Sequence, residues 1–206
     1  MAQETGVSFD TSWALQPAPY PHLDLTGLKD GTDPFWVEQP PKPSTFRKAS
    51  NRIRLFIPRA GQKLRSFSDQ WLLFRNGERF TQHSLGFVAD MFPQIVELFI
   101  HGSGPYHVKD ACTGEKKVLE KFWYPTVVLN LDIKKALPEE GVEWLFSRSR
   151  SKVIKNGRFD IEVVILDQFG ELVALSHHVT LILGVDRNMA ERSRNDGGGN
   201  EGKSKI

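Results

Sequence analysis

Apolar and polar positions divide the chain into a middle of short, strand-like runs and two ends without a regular period. Arg52–Pro58 (RIRLFIP) and Ser68–Arg75 (SDQWLLFR) are apolar-rich and separated by a Gly/Lys/Ser stretch, which predicts a hairpin. Thr126–Lys135 (TVVLNLDIKK) predicts a third strand. Val142–Ile154 and Arg158–Asp167 flank Asn156-Gly157, a dipeptide in which both turn residues tolerate positive φ, so a second hairpin is expected there. Gln168-Phe169-Gly170-Glu171 then turns the chain into a last strand over Leu172–Leu183. One stretch carries the other period: Val88, Met91, Phe92, Ile95, Val96 and Phe99 recur at i, i+3, i+4 spacing and share one helical face. One helix among antiparallel strands predicts an α+β layer fold with the helix packed on one face of the sheet.

The ends differ in kind. Pro17, Pro19, Pro21, Pro34, Pro40, Pro41 and Pro43 fall in the first 50 residues, and proline lacks an amide donor and disfavours helix in the residue before it. Residues 1–45 are therefore expected to form an extended, irregular arm, held along a surface by Trp13, Tyr20, Phe35 and Trp36. Residues 187–206 (RNMAERSRNDGGGNEGKSKI) are almost devoid of apolar side chains and read as a disordered tail, which leaves a domain over 46–186. With 206 residues, 14 Phe, 5 Trp and a net charge of +2, the composition is that of one globular domain with tails. Near-neutral, interspersed charge argues against a nucleic-acid binder, and no apolar run is long enough for a membrane span. With no secretory signal at the start, an intracellular protein is expected. A lone cysteine, Cys112, forms no internal disulfide, and no ligand trio suggests a metal or another cofactor.

Three places could carry chemistry. Asp90 lies in an apolar run, LGFVADMF, where a carboxylate should be buried or half buried and needs hydrogen bonds to compensate. Pro93 follows three residues on, so Asp90 either sits beside a kink or caps a helix beginning there, a capping role worth about 1 kcal/mol. Thr126 opens a strand, as β-branched residues commonly do, and the adjacent His177 and His178 must point to opposite faces of theirs. Arg148, Arg150 and Lys152 alternate in FSRSRSK and share a face, either a solvated one or a cationic stripe for phosphates such as those of coenzyme A.

The runs SDQWLLFRNGERFTQHSLGFVADMFPQIVELF, FWYPTVVLNLDIKKALPEEGVEWLFSRSRSKVIKNGRFDIEVVILD and GELVALSHHVTLIL resemble the C-terminal half of the double hot-dog acyl-CoA thioesterase-like proteins, particularly their fungal branch. The resemblance spans about residues 46–184 and implies a hot-dog fold, a curved antiparallel sheet wrapped around one central helix. It implies hydrolysis of acyl-CoA to free acid and coenzyme A, within fatty acid metabolism. In that family an Asp, a Ser or Thr and a Gln hold the hydrolytic water. The aspartate falls on Asp90 in Gly86-Phe87-Val88-Ala89-Asp90, the hydroxyl on Thr126, and the glutamine position on His178. Histidine is a departure, since it cannot present an amide's donor and acceptor together in the same geometry. Backbone amides near the start of the helix would hold the oxyanion.

Family chains carry another hot-dog ahead of the Pro-rich linker, and hot-dog sites lie between two such units. The resemblance thus implies a homodimer or a pairing with a second hot-dog unit; the alternative is a non-catalytic acyl-binding or partner-binding module. His101–Lys121 reads as a loop near the site mouth. Finally, Ser204-Lys205-Ile206 is one conservative change from the Ser-Lys-Leu address, which makes the peroxisomal import receptor an expected partner and the peroxisome, otherwise the cytoplasm, the expected location.

Overall fold

The computed structural model describes residues 6–21, 24–39, 48–91, 95–100 and 122–184, apart from the side chains of Lys48, Glu97 and Ile100. Pro93, Cys112, the 101–121 segment, the 187–206 tail and its Ser204-Lys205-Ile206 end lie outside the described residues.

The N-terminal arm is more regular than its prolines suggest. Between Pro21 and Pro34 the chain is free to coil, and helix α1 (Leu25–Asp30) forms there. Asp24 caps it by accepting from the Gly27 amide, and Gly31, at φ 77°, ends it in the left-handed conformation that glycine adopts without strain. Strand β1 (Trp36–Gln39) follows and joins the main sheet.

The sheet is built from β1, β2 (Ile53–Pro58), β3 (Phe67–Phe74), β5 (Thr126–Ile133), β6 (Trp144–Arg150), β8 (Arg158–Asp167) and β9 (Leu172–Leu181). Their order is β1-β2-β3-β6-β8-β9-β5, antiparallel throughout, with the short β7 (Ile154–Lys155) on β8. Strands β4 (Phe122–Trp123) and β10 (Leu183–Gly184) make a separate ribbon. Between β7 and β8, Asn156 and Gly157 take φ of 51° and 69°, the mirror-image turn that matches strand twist.

Side chains alternate between the two faces, and each face has its own core. On the inner face, Leu72, Leu145, Ile161, Val163, Ile165, Val173 and Ala174 pack with Leu85, Val88 and Ala89 of helix α2 (Leu85–Asp90). On the outer face, Trp36, Phe56, Trp71, Leu73, Trp144, Phe146 and Leu166 pack beneath Leu28 of α1, with Leu15, Tyr20 and Leu25 of the arm against them. The Trp71 ring meets Phe146 at 5.4 Å and 67°, and the Trp36 indole donates to the Pro21 carbonyl at 2.9 Å. Edge-to-face pairs of this kind are worth about 0.5–1.5 kcal/mol beyond their burial. Trp13 and Phe35, also expected to anchor the arm, stay largely exposed.

The predicted single helix is two short ones. Helix α2 ends at Asp90, where Met91 leaves the helical region (φ −82°, ψ 49°), and α3 (Ile95–Ile100) resumes it. The physical reason is in the sequence: Pro93 donates no amide hydrogen and steers its predecessor away from helix. Asp90 is therefore the last residue of a helix, neither a mid-helix residue beside a kink nor an N-cap.

Candidate active site

Three elements meet where α2 stops. Asp90 ends that helix, Thr126 opens edge strand β5, and His178 lies inward on β9, in register opposite Leu129 and Ile161. A register shift between Thr126 and Val128 bulges β5 beside Thr126, a device that re-aims a side chain at a strand end. Thr126 Oγ1 donates to Asp90 Oδ1 at 2.9 Å, and His178 Nδ1 stands 4.0 Å from that same oxygen. The residues placed at a candidate site by resemblance are thus neighbours in space. A carboxylate at a helix C-terminus gains nothing from the helix dipole, so capping does not account for Asp90.

Their exposures differ sharply. The Asp90 side chain is 54 % exposed, about half buried: its apolar neighbours in sequence turn inward while it sits at the helix end. His178 is fully buried. Burial holds its pKa below the ordinary 6.5, Asp90 opposes that shift and His177 adds to it. The imidazole is therefore neutral at neutral pH. On its other side, His178 Nε2 lies 2.8 Å from Ser176 Oγ, and Ser176 donates to the Asn130 carbonyl at 2.6 Å. Gln70, buried on β3, donates to the Met91 carbonyl at 2.6 Å and so holds the chain just past Asp90. Neither Ser176 nor Gln70 stood out in the sequence. The only signal for Ser176 is its place two residues before His178, on the same strand face.

The amides that open α2 lie at the far end of that helix from Asp90, and residues 92–94, which lead into α3, lie outside the described residues. The cationic stripe is revised. Arg148 is 3 % exposed and clamped by Asp69 through Nε–Oδ1 at 2.5 Å and Nη2–Oδ2 at 2.6 Å, while Nη1 donates to the Pro17 carbonyl at 2.6 Å. The docked arm turns what would be a solvated face into an interior, and no phosphate reaches that guanidinium. Arg150 is exposed beside the Phe67 ring, and Lys152 pairs with Glu162. Lys152 instead joins Lys155, Arg158 and His177 around an open outer-face cleft of about 490 Å³ with Val153 and Val179. Among the described residues no three His, Cys, Asp or Glu side chains gather as a metal site, and no helix is long and apolar enough to cross a membrane.

An antiparallel sheet packed on a short central helix is the hot-dog class, and solved structures agree. A hot-dog protein from Alicyclobacillus acidocaldarius superposes with a TM-score of 0.57 at 17 % identity, covering 86 % of this chain and 58 % of that one. A candidate thioesterase from Novosphingobium aromaticivorans gives 0.57 at 16 %, covering 88 % and 59 %. The chain belongs to the acyl-CoA thioesterase C-terminal domain family, whose model matches residues 17–182. It is 37 % identical over 207 aligned residues to the thioesterase-like protein TwmA of Talaromyces wortmannii, a match that spans 92 % of this chain and 59 % of that relative's length.

Proposed function

We propose that the chain hydrolyses acyl-CoA thioesters to the free acid and coenzyme A. The observation that carries this reading is the solvent-open Asp90 carboxylate, held by the Thr126 hydroxyl in front of the neutral His178 ring. Asp90 takes a proton from water as the water oxygen adds to the thioester carbonyl carbon. The C–S bond then breaks, and the departing thiolate takes that proton from Asp90, leaving as coenzyme A and restoring the carboxylate. Thr126 orients the base, and the buried His178 ring stands behind it in the glutamine's place. Base assistance of this kind is worth roughly 10²–10⁴-fold in rate. In the cleft that holds Lys155, Arg158, Asp160 and the Glu162-paired Lys152, Lys155 and Arg158 would meet the phosphates of the coenzyme, and strand β5 is the edge at which a second hot-dog unit, most simply a second copy, would complete the site.

The test is free-thiol release from short- to long-chain acyl-CoAs, alongside the same acyl groups on a truncated, phosphate-free thiol. Turnover by the parent that falls at least ~10²-fold in Asp90→Asn and less in Thr126→Val supports the assignment. Acyl-CoA binding without turnover in the folded parent replaces it with a non-catalytic acyl-binding module.

A further inference from the structure

A buried imidazole can carry its single hydrogen on either nitrogen, and the two tautomers would make opposite contributions to the site. A hydrogen on Nδ1 would point at Asp90 and occupy the carboxylate, whereas a lone pair there leaves both groups as acceptors. The surroundings do not treat these equally. Asp90 Oδ1, 4.0 Å away and negatively charged, draws the hydrogen to Nδ1. On the opposite edge stands a hydroxyl whose one hydrogen is already given to the Asn130 carbonyl at 2.6 Å, so Ser176 Oγ meets the ring at 2.8 Å as an acceptor. Ser176 and His178 are both buried, where a donor facing a hydrogen-bonding partner gains more than it would in water.

We propose that Ser176 is a positioning residue: it accepts from His178 Nε2–H and so fixes the tautomer that presents Nδ1 as an acceptor beside Asp90. With Nδ1 a buried acceptor, the ring gives no hydrogen to Asp90, and the solvent-open carboxylate keeps its lone pairs for the Thr126 hydroxyl and for an attacking water. Among the described residues, the charged and titratable groups that bear on the ring include Asp90 from α2 and His177, adjacent on β9 and facing the other way, with Ser176 and Thr126 as neutral polar neighbours. This assignment rests on the hydrolytic reading for its catalytic consequence, but the tautomer itself does not.

The experiment is long-range proton–nitrogen correlation on the full chain carrying nitrogen-15 histidine, at about pH 7.5 where the ring is neutral, with His178 identified by its loss in His178→Gln. The expected parent pattern is Nε2–H. Ser176→Ala should move His178 toward Nδ1–H, and Ser176→Thr, which keeps the hydroxyl, should restore the parent pattern. In thioester hydrolysis Ser176→Ala should lower kcat, by up to the roughly 10²-fold at the lower end of what base assistance supplies, with KM unchanged. A parent already in the Nδ1–H form, or a Ser176→Ala spectrum like the parent's, overturns the proposal. Should Ser176→Ala fail to fold, the parent and Ser176→Thr spectra decide it. A parent that hydrolyses no thioester refutes the function proposed above, while an Nε2–H pattern in that same protein still supports the tautomer assignment.

Discussion

His178 is a buried base in a chain that must remain folded around it, and that ties stability to pH. Its folded pKa is depressed below 6.5, so the unfolded chain binds a proton that the folded chain refuses. The stability associated with the neutral ring is complete above pH 6.5 and is lost progressively as pH falls from there through the folded value. Urea unfolding midpoints followed from neutral to mildly acid pH should decline in the parent and decline less in His178→Gln. Equal slopes would mean that the ring is not the group responsible. At this scale the sequence was informative where a pattern fixed the spacing: Asp90, Thr126 and His178 could be singled out through the resemblance of their surroundings. Where the helix stops was not legible, because the apolar spacing runs on past Asp90. Ser176 was equally silent, since one serine on a strand is unremarkable until the atoms across from it are known.

Strands were readable from their alternation and turns, and β8 obeys it closely, with Phe159, Ile161, Val163 and Ile165 all inward. The helix was misjudged because its apolar spacing continues across Pro93, whose backbone cost outweighs the hydrophobic period. The arm was misjudged for the opposite reason: counting prolines hid a capped helix between two of them. Arg148 shows how pairing between elements changes a residue's meaning. Asp69↔Arg148 is a cross-strand pair of β3 and β6, and it is roofed by the arm. Removing one partner leaves a buried, uncompensated charge, so Arg148→Met should cost ~3–5 kcal/mol in urea unfolding, with part of it recovered in Asp69→Asn/Arg148→Met. Thiol release per folded molecule should be unchanged. A raised KM with unaltered stability would instead return Arg148 to a coenzyme-binding role.

Over the whole molecule, the two edges of the sheet differ. At one, β1 is short. At the other, β5 runs for eight residues and exposes Val127, Val128, Leu129 and Ile133, a long apolar edge of the kind that native proteins cover or pair. Light scattering of the purified chain should give about twice 23.4 kDa, and Val127→Lys/Val128→Lys should shift it toward the single-chain mass with loss of turnover. A monomer that turns over as well as the parent would show that the site needs no second unit. Strand order, and with it the identity of this edge, could not be read from the sequence: alternation marks which residues form strands but not which strands are neighbours.

The bond between the Pro17 carbonyl and Arg148 joins residues 131 positions apart, and chain order then bears on how the protein is made. At about 5–20 residues per second, the arm leaves the ribosome on the order of ten seconds before the guanidinium it will hold. Through that interval its aromatic side chains have no face to dock on. A proline-rich segment is well suited to such a wait, because it is poor at forming either premature helix or premature sheet. The arm, synthesised ahead of the face it covers, is thus slow to find its place, and the outer face stays open until it does.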